Sequence, residues 1–175
     1  MVIWLTGLSG SGKTTLARAL HQRIGRTSDR LVLLDGDCVR EAFGDGLGHR
    51  EKDRVVQVTR VQRMAKLLAD QDLVVIVALV YANPELLLWN RTNLRDYFEV
   101  HVKASLATVT ARDGKGLYAA ALHGEKTDVI GVDIPAWEPT SPDLVIDADN
   151  PEEPAAMADR VVAAIPGLIK LVEVG

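Results

Sequence analysis

The chain has 175 residues, 47% of them apolar and 25% charged. That is the size of one ordinary domain with a proper core, and it excludes a disordered chain, a collagen or a coiled coil. Twenty basic side chains against twenty-four acidic ones leave a net charge of −4, so no nucleic-acid partner held by bulk positive charge is expected, although a local cluster of cations can still serve a small anion.

In chain order, short apolar runs alternate with helical patterns. Val2–Thr6 is the first run and ends in a glycine-rich turn. From Thr14 to about Ile24, Leu16, Ala17, Leu20 and Ile24 share one helical face. Leu31–Leu34 is the second run. Glu51–Asp70 places Val55, Val58, Val61 or Gln62, Ala65 and Leu68 at helical spacing. Leu73–Val80, Phe98–Val102 and Leu144–Ile146 are three further runs, and the tail over Glu152–Ile165 is helical by composition. Runs apolar on both faces suit parallel strands covered by helices on each side. The expected fold is therefore α/β: one domain over residues 1–175, a three-layer sandwich around a five-stranded parallel sheet.

Cys38 is the single cysteine, so no intrachain disulfide is available. The longest apolar run, Leu73–Val80, is far shorter than a membrane span. The N-terminus has no basic stretch followed by a long apolar one. A cytoplasmic protein with no membrane partner is expected.

Gly7-Leu8-Ser9-Gly10-Ser11-Gly12-Lys13-Thr14 matches G-x-x-x-x-G-K-[ST] in full, after a strand and before a helix. Glycines let successive N–H groups converge on one centre, and the helix adds its positive end. Lys13 supplies charge to the β- and γ-phosphates of ATP, and the Thr14 hydroxyl is placed for Mg²⁺. Residues 7–14, with Thr15, are the candidate triphosphate site. No guanine-reading Asn-Lys-x-Asp occurs, which leaves a small-molecule kinase as the large remaining class.

Leu33-Leu34-Asp35-Gly36-Asp37 ends the second strand, where ligands sit in open parallel sheets. Alternate residues of a strand end face one side. Of Asp35 and Asp37, one is then placed to hold Mg²⁺ through water and the other to accept a proton from the attacking alcohol. The plain alternative is that both are turn or helix-cap residues.

These residues carry a resemblance. The opening Val2-Ile3-Trp4-Leu5-Thr6 with its glycine-rich turn, then Leu34-Asp35-Gly36-Asp37 with Arg40, resembles the adenylylsulfate kinase family. Arg112-Asp113-Gly114-Lys115-Gly116-Leu117-Tyr118 is close to that family's Arg-Asp-Pro-Lys-Gly-Leu-Tyr. Gly124-Glu125, Gly131-Val132-Asp133 and Pro142-Asp143-Leu144-Val145-Ile146 continue the match in order. The resemblance implies strand order 2-3-1-4-5, common to P-loop kinases, and a homodimer. It implies transfer of the γ-phosphoryl of ATP, with Mg²⁺, to the 3′-hydroxyl of adenosine 5′-phosphosulfate. Asp37 would be the catalytic aspartate. Arg40 and Arg54 would hold the acceptor's anionic end, and Arg112 and Lys115 would belong to a lid over about 111–131.

The acceptor half departs from the family pattern. His49 and Val129 stand where the family has two base-stacking phenylalanines. Gln57 replaces an asparagine, and Tyr81 lies in a rewritten Ser-Pro-Tyr-Arg segment. These replacements, with Trp89-Asn90-Arg91, resemble the branch that includes cytidine diphosphoramidate kinases. An anionic 5′-substituted nucleotide is the expected acceptor: adenosine 5′-phosphosulfate first, another such nucleotide second. A nucleotide-sensing binding protein is the alternative of a different class, against which Asp37, Lys13 and Arg112 all count.

Overall fold

The computed structural model describes residues 1–168 apart from Asp45, Lys115 and Pro166. The expected lid lysine, Lys115, therefore lies outside the described residues. Five strands form one sheet: β1 (Val2–Thr6), β2 (Leu31–Asp35), β3 (Val74–Ala78), β4 (Tyr97–Lys103) and β5 (Leu144–Asp147). The order is β2-β3-β1-β4-β5, and every pairing is parallel. Seven helices are described: α1 (Lys13–Gly25), α2 (Gly36–Phe43), α3 (Glu51–Ala69), α4 (Pro84–Asn93), α5 (Leu106–Arg112), α6 (Leu117–Leu122) and α7 (Pro154–Ala164).

The two-residue period of a strand splits the core into two layers. Ile3 and Leu5 of β1 pack with Leu16, Leu20 and Ile24 of α1 and Val161 of α7. Val2 and Trp4 pack on the other face, with Val58, Val61 and Ala65 of α3 and Leu87 of α4. β1 and β3 are buried along their whole length, which explains their unbroken apolar runs. A third, small cluster lies apart from these layers: Val109 of α5, Tyr118 of α6 and Val129.

Two sequence expectations need correction. Val55 belongs to no buried face: it is 37% exposed. The inner face of α3 also buries two amides, Gln62 at the expected spacing and Gln57 outside it, because both have partners. Gln62 Nε2 donates to Asn90 Oδ1 and to the Leu86 carbonyl, each at 2.8 Å. Asp37, for its part, is not at a strand end but in the first turn of α2. The chain leaves β2 at Asp35, whose side chain caps the new helix by accepting from the N–H of Asp37 at 3.0 Å.

Candidate active site

β1 lies at the centre of the sheet, so the loop after it opens where the crossovers diverge to either side. Gly7 has φ 144, and a Cβ there would run into the Val102 carbonyl of β4. Only glycine lets the loop pass that close to the neighbouring strand. Gly12, at φ 99, precedes the first residue of α1. Ser11 N–H closes the turn on the Leu8 carbonyl at 3.1 Å. Lys13 is almost buried, and its Nζ donates to the same carbonyl at 2.6 Å and to Ser11 Oγ at 3.5 Å.

Thr14 Oγ1 donates to Asp35 Oδ2 at 2.8 Å. A hydroxyl beside a carboxylate is the hard-oxygen set that Mg²⁺ prefers, so these residues fit the ion. Among the described residues no three His, Cys, Asp or Glu side chains gather as a metal cage. Mg²⁺ at a triphosphate commonly takes one or two protein oxygens and draws the rest from phosphate and water.

A cavity of about 580 Å³ runs from this loop across the carboxyl ends of β2 and β3. Ser9, Gly10, Gly12, Lys13, Thr14 and Thr15 line one end. Asp35, Asp37 and Gln57 line the middle, Arg40, His49, Arg54 and Tyr81 the other end, and Val129, packed with Tyr118 in a cluster that Leu8 of the loop also joins, bridges the two. Gly7, Leu8 and Ser11 shape the loop from behind and do not line the cavity. Arg112 does not line it either: its Nη2 donates to the Ala148 carbonyl at 2.6 Å, just past β5. Cys38 is exposed and is not part of the lining.

The far end is electropositive. Arg40 Nη1 donates to the carbonyls of Leu47 and Gly48, at 2.9 and 2.8 Å. Arg54 is held from two sides, Nε to the His49 carbonyl at 2.7 Å and Nη2 to the Asp128 carbonyl at 2.6 Å. Burial lowers the pKa of Arg54, and repulsion from Arg40 lowers it further. Two guanidiniums kept together against that repulsion concentrate positive charge on this part of the lining. Burial, then Arg40, Arg54 and Lys126, push the His49 imidazole down, favouring its neutral form. Tyr81 donates to Glu51 Oε1 at 2.6 Å. Its phenol is pushed up to about 12, first by burial and then by that bond. Gln57 Nε2 donates to the Gly36 carbonyl at 3.2 Å, tying α3 to the start of α2.

Some residues gain roles that the sequence pattern left unassigned. Tyr118 is buried, and its hydroxyl donates to the Ser9 carbonyl at 3.0 Å, fastening the 117–122 helix to the phosphate loop. Asp113 accepts from the N–H groups of Leu117 and Ala119, at 2.8 and 2.9 Å. An acid placed before a short helix is a capping signal the sequence does contain. Lys126, Thr127 and Asp128 also line the cavity, and nothing in their spacing announces it.

A triphosphate cradle, an acidic centre and a cationic far end define a phosphotransferase with two substrates. The profile of the adenylylsulphate kinase family matches residues 1–147, and the chain belongs to that family. It is 43% identical over 149 residues to an adenylyl-sulfate kinase of Deinococcus deserti, covering 85% of this chain and 82% of that one. It is 39% identical over 145 residues to a cytidine diphosphoramidate kinase of Campylobacter jejuni, covering 83% and 84%. The structure of the Mycobacterium tuberculosis APS kinase CysC in complex with AMPPNP and APS superposes with a TM-score of 0.85. The identity there is 32%, over 98% of this chain and 96% of that one. Among the described residues no helix is long and apolar enough to cross a membrane.

Proposed function

We propose that the protein transfers the γ-phosphoryl group of ATP to the 3′-hydroxyl of an anionic 5′-substituted nucleotide, with adenosine 5′-phosphosulfate as the first candidate. The observation that carries this reading is one continuous cavity lined by Lys13 and Thr14, by Asp37 and by the Arg40–Arg54 pair. The phosphate loop and Lys13 hold the β- and γ-phosphates. Arg40 and Arg54 hold the acceptor's 5′ anion and so bring its ribose toward Asp37. The 3′-oxygen forms the new bond to phosphorus, the bond to the β–γ bridging oxygen breaks, and the hydroxyl proton passes to the Asp37 carboxylate. Mg²⁺, held by Thr14 and Asp35, would neutralise charge on the β- and γ-oxygens. In this reading residues 111–131 close over the triphosphate, bringing Arg112 and Lys115 to it, and the enzyme works as a cytoplasmic homodimer.

A second acceptor is favoured by a specific observation. Neither His49 nor Val129 offers the large aromatic face that stacks on adenine, and Lys126 and Thr127 add polar groups to the lining. An aromatic contact adds about 0.5–1.5 kcal/mol beyond area burial, so selectivity for adenine is weakened on both faces. A cytidine nucleotide such as cytidine diphosphoramidate is therefore the alternative. The test is a turnover panel of adenosine 5′-phosphosulfate, cytidine 5′-diphosphate derivatives and other 5′-modified nucleotides. Exclusive use of adenosine 5′-phosphosulfate removes the alternative. Turnover of no nucleotide, with gluconate phosphorylated instead, overturns the proposal.

A further inference from the structure

Residues 128–134 form a closed strap at the cationic end of the cavity. Gly131 N–H donates to the Ile134 carbonyl at 2.8 Å, and the N–H groups of Val132, Asp133 and Ile134 all donate to the Val129 carbonyl at 3.1–3.2 Å. Across this turn the Asp133 carboxylate spans two further donors. Oδ2 accepts from the N–H of Asp128 at 2.6 Å, and Oδ1 from the N–H of Val129 at 2.5 Å. Asp128 is thereby held at φ 64, a left-handed conformation that costs a non-glycine residue energy.

The strap joins three parts of the molecule. Val129 belongs to the small cluster with Val109 and Tyr118. Ile130 and Ile134 are anchored in the core layer beneath α3. The Asp128 carbonyl, aimed by the left-handed turn, accepts from Arg54 Nη2. The other fixed nitrogen of Arg54 is Nε, on the His49 carbonyl, so among the described residues Nη1 is the guanidinium nitrogen left without a hydrogen bond.

We propose that Asp133 is a positioning residue for the acceptor: it fixes the 128–129 backbone, and that backbone sets the guanidinium of Arg54. Asp133 does not line the cavity, so it acts through Asp128 and Val129 and through the attraction of its carboxylate for Arg54. The inference rests on the reading that Arg54 holds the acceptor's anion.

The test is Asp133→Asn in the full chain. An asparagine keeps the shape but presents an amide N–H₂ to one of the two backbone donors, which releases the turn. Losing a charge-assisted anchor of this kind is expected to raise the KM for the nucleotide acceptor about tenfold or more, with kcat and the KM for ATP within about twofold. Asp128→Val, which puts a β-branched residue in the left-handed region, is expected to shift the same constant in the same direction. Unchanged acceptor KM, or a rise in both Michaelis constants together, overturns the proposal. A second readout needs no acceptor. Amide exchange at 128–129 in the unliganded protein is expected to be at least about tenfold faster in Asp133→Asn, and unchanged exchange also overturns it. If the wild type turns over no nucleotide acceptor, the function proposed above fails on its own, and exchange alone decides the strap.

Discussion

Thr14 and Asp35 come from different strand–helix units, yet the Thr14 hydroxyl donates to Asp35 Oδ2 at 2.8 Å while Asp35 Oδ1 caps α2. One carboxylate thus links the phosphate loop to the helix that carries Asp37. Its two duties separate in Asp35→Asn, because asparagine caps about as well as aspartate. Stability should change by less than about 1 kcal/mol in chemical denaturation. Turnover should fall by about 10²–10³, with a higher Mg²⁺ concentration needed for half-activity. A variant that stays fully active at ordinary Mg²⁺ would leave Asp35 as a cap alone.

Asp37→Asn tests the proton acceptor. Its amide is nearly isosteric but takes no proton from the acceptor hydroxyl. We expect the kcat of phosphoryl transfer to drop by roughly 10²–10⁴. ATP affinity, measured by calorimetry, should hold because Lys13 and the loop N–H groups are untouched. Weakened ATP binding with unchanged transfer of bound phosphate would make Asp37 a nucleotide-site residue only.

Tyr118→Phe removes one hydroxyl and leaves the Ser9 carbonyl without that donor. The hydrogen bond is worth about 1 kcal/mol, and the ring still fills its cluster. Hydrogen exchange in 117–122 should quicken in the unliganded variant. In both proteins, Mg²⁺ with a non-hydrolysable ATP analogue should slow exchange across 111–131. Exchange indifferent to nucleotide in the wild type would contradict closure of this segment.

His101 gives a pH dependence with a definite sign. It is buried on β4, its Nδ1 is 3.2 Å from Thr6 Oγ1, and its Nε2 has no hydrogen-bond partner among the described residues. Burial pushes its pKa below 6.5; attraction to Glu138 opposes this, while Lys103 and Lys13 add to it. The unfolded chain therefore takes up the proton more readily. The wild type loses stability as pH falls from 6.5 toward the lower folded-state value, and above 6.5 this group adds no slope. In His101→Leu that acid-side loss should disappear. Parallel stability profiles for the two proteins between about pH 7.5 and about pH 5 would show that His101 does not titrate in this way.

The strands and the phosphate loop were legible because their signals are local: an unbroken apolar run, or a fixed spacing of glycine, lysine and threonine. α3 shows where hydrophobicity alone misleads. Val55 fits the apolar period yet is exposed, while Gln57 lies outside it and is buried, because the Gly36 carbonyl, distant in sequence, accepts from its amide. α2 shows a different gap. Asp35-Gly36-Asp37 reads equally as strand end or cap, and Asp35 serves both strand and cap. The far end of the cavity was partly legible. Arg40, Arg54 and His49 were marked by resemblance, but the carbonyl of Asp128 that holds Arg54 belongs to the backbone. Side-chain identity carries no trace of it.

The small cluster of Val109, Tyr118 and Val129 has a kinetic consequence. It joins chain stretches about ten residues apart into one packed body, with Leu8 of the phosphate loop and Leu117 against it. A loop without such a nucleus would search many shapes each time nucleotide arrived, and ordering it would consume binding energy. Here that ordering is already done in the unliganded molecule. In the proposed closure of residues 111–131, nucleotide would pull an already packed body against the anchored 128–134 strap, and reopening, rather than organising a loose loop, would limit the release of product.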